Sequence, residues 1–363
     1  ENAMHIFKGE LQDKRDSKEI MNLPVTRYYG SKRRVVEAIW NALIKEHVEF
    51  DSFLDLFGGT GIVSYYMEAK GKSVIYNDIF RFNCVDAEAL LATPKGMMSE
   101  DEAMNLLKRN PNFHYKDVIE RNFKGIYYPE EENRMIDTIV QNVQLLDNDK
   151  QPCGYYLLNQ TCLIKRPFNI FHRKNLNLRL NHEKSKFGNY VTWEKGFDFF
   201  FKRFINELNT YQFEQPHNIE IINQNALECN RTADVVYIDT PYFDEHTPIS
   251  YHARYHFLEG LQYYDEIELN INNNKANKEI EINTNNDFEN KNTYIEHLNL
   301  LFDKYRDKTV LLSYTSKGYP TIDELIHIVK EHKDNVHAVS LGRHSFALNR
   351  GNKDREEILI IGV

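Results

Sequence analysis

The chain of 363 residues contains no apolar run near the roughly 18 residues a membrane helix needs, so a spanning protein is excluded and no membrane partner is expected. Its four cysteines, Cys84, Cys153, Cys162 and Cys229, are scattered and form no CxxC pair. That excludes a disulfide frame or a cysteine zinc site and fits free thiols in a reducing cytoplasm. No charged-then-apolar stretch opens the chain, so secretion is not expected. Positive charge is also short: 45 Lys and Arg face 54 Asp and Glu, for a net charge of −9. Such a balance argues against a protein that coats nucleic acid nonspecifically, but it leaves room for a local basic face. None of the 14 histidines stands in a ligand spacing such as HExxH, so no catalytic metal is expected. What is present is apolar: 41% hydrophobic residues, 13% of the chain aromatic, enough to build a core and to exclude wholesale disorder.

The pattern along the chain predicts an α/β fold. Val35, Val36, Ile39, Trp40 and Leu43 recur at helical spacing after Ser31. Phe50 to Phe57 reads as a short buried strand ending at Gly58-Gly59-Thr60-Gly61, Ile62 to Lys70 as a helix, and Ser73 to Tyr76 as a second strand ending at Asn77-Asp78. Strand, glycine turn, helix and strand make one unit of a parallel sheet with helices on both faces. Residues 82–217 then read as a mostly helical insertion. Strands resume at Ile219–Ile222, Asp234–Asp239 and Thr309–Ser313, and Glu357–Val363 pairs with Val336–Ser340. The expected organisation is an N-terminal arm over 1–23, with Glu1-Asn2-Ala3 before Met4 reading as a cloning scar. A catalytic sheet domain follows over 24–81 and 218–363, interrupted by the insertion. Ten asparagines fall within 265–292, which reads as a flexible, solvated loop.

The glycine turn lies at the carboxyl end of a strand, where open parallel sheets bind ligands. It is not a dinucleotide fingerprint, because Ile62, Val63 and Ser64 follow Gly61, and no GKS or GKT ends a phosphate loop. Asp78 ends the next strand, where a carboxylate can accept both ribose hydroxyls of a nucleoside. A glycine turn, a ribose acid and no phosphate cradle point to S-adenosylmethionine, which carries an adenosine but no phosphate.

The strand Asp234–Asp239 leads into Asp239-Thr240-Pro241-Tyr242. An exocyclic amine of a base is a poor nucleophile, because its lone pair is delocalised into the ring. Two acceptors aimed at its hydrogens draw the nitrogen toward tetrahedral geometry. The Asp239 carboxylate and the Thr240 carbonyl are the candidates, the latter restrained by Pro241. Tyr242 can stack on the base. Positioning and polarisation then suffice, without a covalent intermediate.

Asp239-Thr240-Pro241-Tyr242 resembles the DPPY motif of amino-methyltransferases, and Phe57-Gly58-Gly59-Thr60-Gly61 resembles their FxGxG motif. Arg27 to Lys32 is similar to the segment that precedes it in Dam-like DNA adenine-N6 methyltransferases. The order, glycine motif then insertion then DPPY-like motif, is the alpha arrangement of that family, whose target-recognition region lies in the insertion. The resemblance runs from Arg27 to about Gly318. It implies an S-adenosylmethionine-dependent methyltransferase (Rossmann-like) fold and a site-specific DNA adenine-N6 methyltransferase, acting on duplex DNA with a flipped adenine. A restriction-modification setting with a cognate restriction endonuclease, or a solitary enzyme, would both fit. Tyr28 and Lys32 would help hold the cofactor, Asp55, Phe57 and Gly59 would line its methionine side, and Asp78 would bind its ribose. Asn225-Ala226 stands where the family often has Asp-Ala near the cofactor adenine, and Thr240 replaces the usual first proline. An RNA adenine-N6 or DNA cytosine-N4 enzyme uses the same motif. A catalytically inactive DNA- or cofactor-binding relative is the reading from another class.

Within Gln160–Tyr190 seven basic residues face one acid, Glu183. Aromatic and amide residues are interleaved in Phe168-Asn169-Ile170-Phe171-His172, which partly resembles a DNA-proximal segment of the same enzymes. Lys165, Arg166, Asn169, Arg173 and Lys174 are therefore the expected nucleic-acid contacts. Pro152-Cys153 matches the nucleophile of cytosine-C5 methyltransferases only superficially. It lies in the insertion, no Glu-Asn-Val partner motif is present, and Cys153 reads as a buried thiol.

Overall fold

The computed structural model describes residue 24 and residues 36–181, 190–241, 243, 250–316, 318–343 and 356–363. Seven strands form one sheet: β1 (Ser52–Asp55), β2 (Ser73–Asn77), β3 (Ile219–Ile222), β4 (Val235–Ile238), β5 (Thr309–Thr315), β6 (Val336–Arg343) and β7 (Glu356–Gly362). Their order is β3-β2-β1-β4-β5-β7-β6. All neighbours are parallel except β7, which runs antiparallel between β5 and β6. Nine helices of eight residues or more stand among the described residues: α1 (Val36–Lys45), α2 (Ile62–Ala69), α3 (Arg81–Leu91), α4 (Glu130–Gln144), α5 (Gln151–Ile164), α6 (Phe197–Tyr211), α7 (Tyr251–Leu261), α8 (Tyr294–Lys304) and α9 (Ile322–Lys330). No helix among the described residues is long and apolar enough to cross a membrane.

The strands are near-continuous apolar runs because both faces of the parallel sheet are covered. Successive residues alternate between the covers. Phe53, Val235 and Leu311 pack with α1 and α2 on one face. Leu54, Val236 and Leu312 pack with α8 and α9 on the other. The sequence-based strands, including the pairing of the last two, all find their partners here.

The insertion does not sit apart from the sheet. Helix α3 starts at Arg81 and belongs to the same buried cluster as Tyr76 of β2. From α3, Asp86 is buried and accepts the Asn159 Nδ2 of α5 at 2.9 Å, which fastens the insertion to the scaffold. The core of the insertion is also shared with a later segment, since Phe257, Leu261 and Ile280 pack into it.

The asparagine-rich stretch requires a correction. Residues 265–292, expected as a flexible loop, pack onto the body of the protein. Ile267, Ile280 and Phe288 are buried, and Ile271 bridges Ile280 in antiparallel fashion. The asparagines are used for turns. Asn272 Oδ1 accepts the amide of Asn274 at 3.0 Å, and Asn286 Oδ1 accepts that of Phe288 at 3.2 Å. Short amide side chains favour such local turns, so a polar composition here builds a tight excursion.

Candidate active site

The carboxyl ends of β1, β2 and β4 converge on one pocket. The chain enters α2 through Gly58-Gly59-Thr60-Gly61. Gly59 has φ 52° and Gly61 φ 79°, backbone conformations that L side chains rarely adopt. Gly58 is required for another reason: a Cβ there would lie 2.1 Å from the Tyr76 ring. From beneath the turn, the Tyr76 hydroxyl donates to the Gly59 carbonyl at 2.5 Å, and the Gly58 amide donates to the Asn77 carbonyl at 2.7 Å.

Asp78 fixes the turn from the side. One of its oxygens accepts the Gly59 amide at 2.9 Å, and the other accepts the Phe80 amide at 2.8 Å and Asn83 Nδ2 at 3.2 Å. Burial raises its pKa, against those hydrogen bonds. Asp55, at the end of β1, is 1% exposed. It accepts the Ser64 hydroxyl at 2.7 Å through Oδ2, while its buried Oδ1 has no hydrogen-bond partner. Burial, with Asp239 and Asp78 adding repulsion, pushes its pKa up to about 7. Asp55, Asp78 and Asp239 all line the pocket, and no Lys, Arg or His lines it among the described residues. A pocket of this charge repels phosphate and favours a cation.

The motif after β4 forms the adjoining wall. Asp239, Thr240 and Pro241 line the pocket, and Tyr242 lies outside the described residues, as do Tyr28 and Lys32. Thr240 is buried, and its hydroxyl hydrogen-bonds with that of Tyr294, which is itself buried at the start of α8. Phe57 also lines the pocket and meets Phe288 edge-on, with ring centroids 5.1 Å apart. Asn225 lines it from the turn after β3. Its Nδ2 donates to Asp287 at 2.8 Å, which accounts for an amide at this position: an aspartate would set one carboxylate against another.

Several pocket residues carry no site assignment from the sequence, although the stretches 265–292 and 255–261 could each be read as closing over the site. Asn286 and Phe288 come from the asparagine-rich excursion, and Tyr251 and Tyr255 from α7. Asn77 knits β1 to the turn after β3, donating to the carbonyls of Leu56 at 2.9 Å and Gln224 at 3.1 Å. Its place directly before Asp78 was the only signal for it.

The basic segment is divided by the fold, and two of its expected contacts are corrected. Lys165 and Arg166 are each 1% exposed. The Lys165 ammonium donates to the carbonyls of Trp193 and Lys195 and lies 3.5 Å from Glu132, which also holds Arg179 at 2.8 Å. Arg166 donates to the carbonyls of Ile170, Tyr127 and Arg173, organising the loop from inside. Neither cation reaches a surface where a phosphate could lie. Arg173 and Lys174 are exposed and Asn169 is half-buried. Phe168 beside them is 38% exposed, with φ 63°. Lys184 and Lys186 lie outside the described residues. Cys153 is fully buried on α5, and burial pushes its thiol up to about 11, so a thiolate nucleophile is disfavoured.

A parallel-centred α/β sheet with a glycine turn, an acidic pocket and an Asp-Thr-Pro wall defines a methyltransferase of the amino-group class. The D12 class N6 adenine-specific DNA methyltransferase family matches residues 28–309, and the chain belongs to that family. Type II methyltransferase M2.HphI of Haemophilus parahaemolyticus is 26% identical over 311 residues, covering 83% of this chain and 86% of the relative. Modification methylase LlaI of Lactococcus lactis subsp. lactis is 23% identical over 326 residues, with 84% of this chain and 48% of the relative covered. Modification methylase StsI of Streptococcus sanguinis is 25% identical over 323 residues, with 84% and 46% covered. The chain thus spans about half the length of the latter two.

Proposed function

We propose that the chain methylates the N6 amine of adenine in duplex DNA with S-adenosylmethionine as donor, turning the target base out of the helix, as the modification partner of a cognate restriction endonuclease. The observation that carries this reading is the placement of Asp239, Thr240 and Pro241 on the wall of a pocket lined by acids. When bound, S-adenosylmethionine supplies a methyl group on a sulfonium, an electrophile that needs no enzyme nucleophile. The cofactor has cationic groups, a ribose and no phosphate, which suits this lining. Asp78 would take the ribose hydroxyls, and the unpartnered Asp55 Oδ1 would accept from the cationic methionine end, beside Phe57 and Gly59. Asn225 would stand by the adenine. Tyr28 and Lys32 keep the cofactor roles that the resemblance implies.

For the target base, the Asp239 carboxylate and the Thr240 carbonyl accept from the N6 hydrogens, and Tyr242 stacks on the ring. Extracting a paired base costs a few kcal/mol, which contacts to the DNA backbone must offset. Arg173 and Lys174, with Asn169 and the exposed Phe168 beside them, form the surface for those contacts.

The test is an Asp239→Ala variant. It should bind S-adenosylmethionine within a few-fold of the parent while transferring no labelled methyl group to DNA. Full retained transfer would remove the central claim.

A further inference from the structure

A second pocket, with a mainly polar lining, lies where the insertion, α7 and the asparagine-rich excursion meet. His172, His252, Asn277 and Glu279 are among the residues that line it. Its walls are held by a buried knot of hydrogen bonds. The Phe171 amide donates to the Arg254 carbonyl at 2.8 Å, and Asn277 Nδ2 donates to the Phe171 carbonyl at 3.2 Å. His256 Nδ1 accepts the Ile280 amide at 2.9 Å, so its proton sits on Nε2, which meets the Tyr127 hydroxyl at 2.7 Å.

Two ring nitrogens in this pocket are unspent. His252 is 4% exposed, yet its Nε2 has no hydrogen-bond partner. Its Nδ1 faces Glu279 Oε1 at 3.6 Å. Nδ1 of His172 is likewise buried and unpartnered. Burial, with Arg254 and Arg173 adding repulsion, holds His172 down to about 4, so its ring is neutral and able to accept. Among the described lining residues the one Lys or Arg, Lys275, already pairs with Glu279 and lies 3.6 Å from Glu281. Among the described residues that line it, the pocket therefore offers acceptors and no Lys or Arg without a carboxylate partner, which suits an amino group better than a phosphate.

Position connects it to the chemistry. Tyr251 lines the acidic pocket, and the next residue, His252, lines this one. Adjacent Cα atoms are about 3.8 Å apart. The two pockets therefore adjoin one another across the first turn of α7.

We infer that the pocket of His252, His172 and Glu279 is a specificity-determining site that takes the amino-bearing edge of a base flanking the target adenine. In the major groove, adenine and cytosine present an amine where guanine and thymine present a carbonyl. Glu279 and the free ring nitrogens would accept from the former and repel the latter. This rests on the proposed DNA methylation, which the test checks separately.

The measurement uses duplexes with a central adenine in randomised flanks, read for N6-methyladenine by sequencing. The parent enzyme should prefer adenine or cytosine over guanine or thymine at one flanking position by about tenfold or more. His252→Ala should lose that preference while keeping the others, whatever its overall rate. His172→Gln, on the more open wall, decides by the same ratio where His252→Ala no longer binds the cofactor. An unchanged preference at every position, or a uniform loss at all positions, overturns the inference. A parent enzyme that makes no N6-methyladenine overturns the proposed function instead.

Discussion

The hydroxyl of Thr240, in the motif after β4, hydrogen-bonds with the hydroxyl of Tyr294, at the start of α8. Tyr294 also meets Phe243 and Phe288 edge-on, at 5.0 and 6.3 Å between centroids. A threonine where relatives of this motif carry proline thus exchanges a ring constraint for a tether to the start of α8. Thr240→Val and Tyr294→Phe should each cost about 1–2 kcal/mol of stability, since each strands a buried hydroxyl. The double variant should cost less than their sum, a coupling that chemical denaturation of all four proteins will read.

In the proposed cofactor role, Asp55 would make capture pH-dependent. Its pKa of about 7 in the free protein means a proton must leave before the carboxylate can meet a cation. Affinity for S-adenosylmethionine should fall about tenfold per pH unit below 7 and level off above it. Asp55→Asn should bind weakly with a flat profile. For folding the sign is opposite. Between roughly pH 4 and 7 the native state holds a proton that the unfolded state has lost, so this residue's contribution to stability declines as pH rises. Thermal midpoints of the ligand-free protein at pH 5 and 7.5 should therefore separate less in Asp55→Asn than in the parent.

Glu132 neutralises two buried cations, Lys165 and Arg179. Glu132→Ala removes the carboxylate that both cations face and should destabilise the fold by about 3–5 kcal/mol, read by denaturant titration.

Among the described residues, Arg173 and Lys174 are the exposed cations on the stretch Lys165–Lys174, and Lys165 and Arg166 are interior. Replacing Arg173 and Lys174 by Gln should lower the slope of log affinity for DNA against log salt by up to about 1.8. Replacing Lys165 by Met should lower the melting temperature and leave that slope in place. The reverse pattern would put DNA on another face.

The sheet was legible in the sequence because a strand covered on both faces is written as an apolar run, closed by Gly58 after β1 and by Asp78 after β2. The same local pattern marked Asp78 and Asp239, and the family resemblance added Asp55; their convergence follows from parallel strands ending on one edge. What failed was anything that depends on distant partners. Arg166 reads as a surface cation until Tyr127, 39 residues earlier, offers its carbonyl. Asparagine content over 265–292 reads as solvation until Ile280 and Phe288 are seen to anchor it. His252 gave no signal, since a lone histidine has no spacing to recognise.

Tyr76 lies against Gly58 and bonds to the carbonyl of Gly59. The glycine turn thus receives its curvature from the protein's own β2. Folding, and not ligand capture, bears the entropy of shaping it, and affinity is not diminished by ordering a loop at the moment of binding. Exchange of spent for fresh cofactor between turnovers can then proceed across a receptacle that keeps its form.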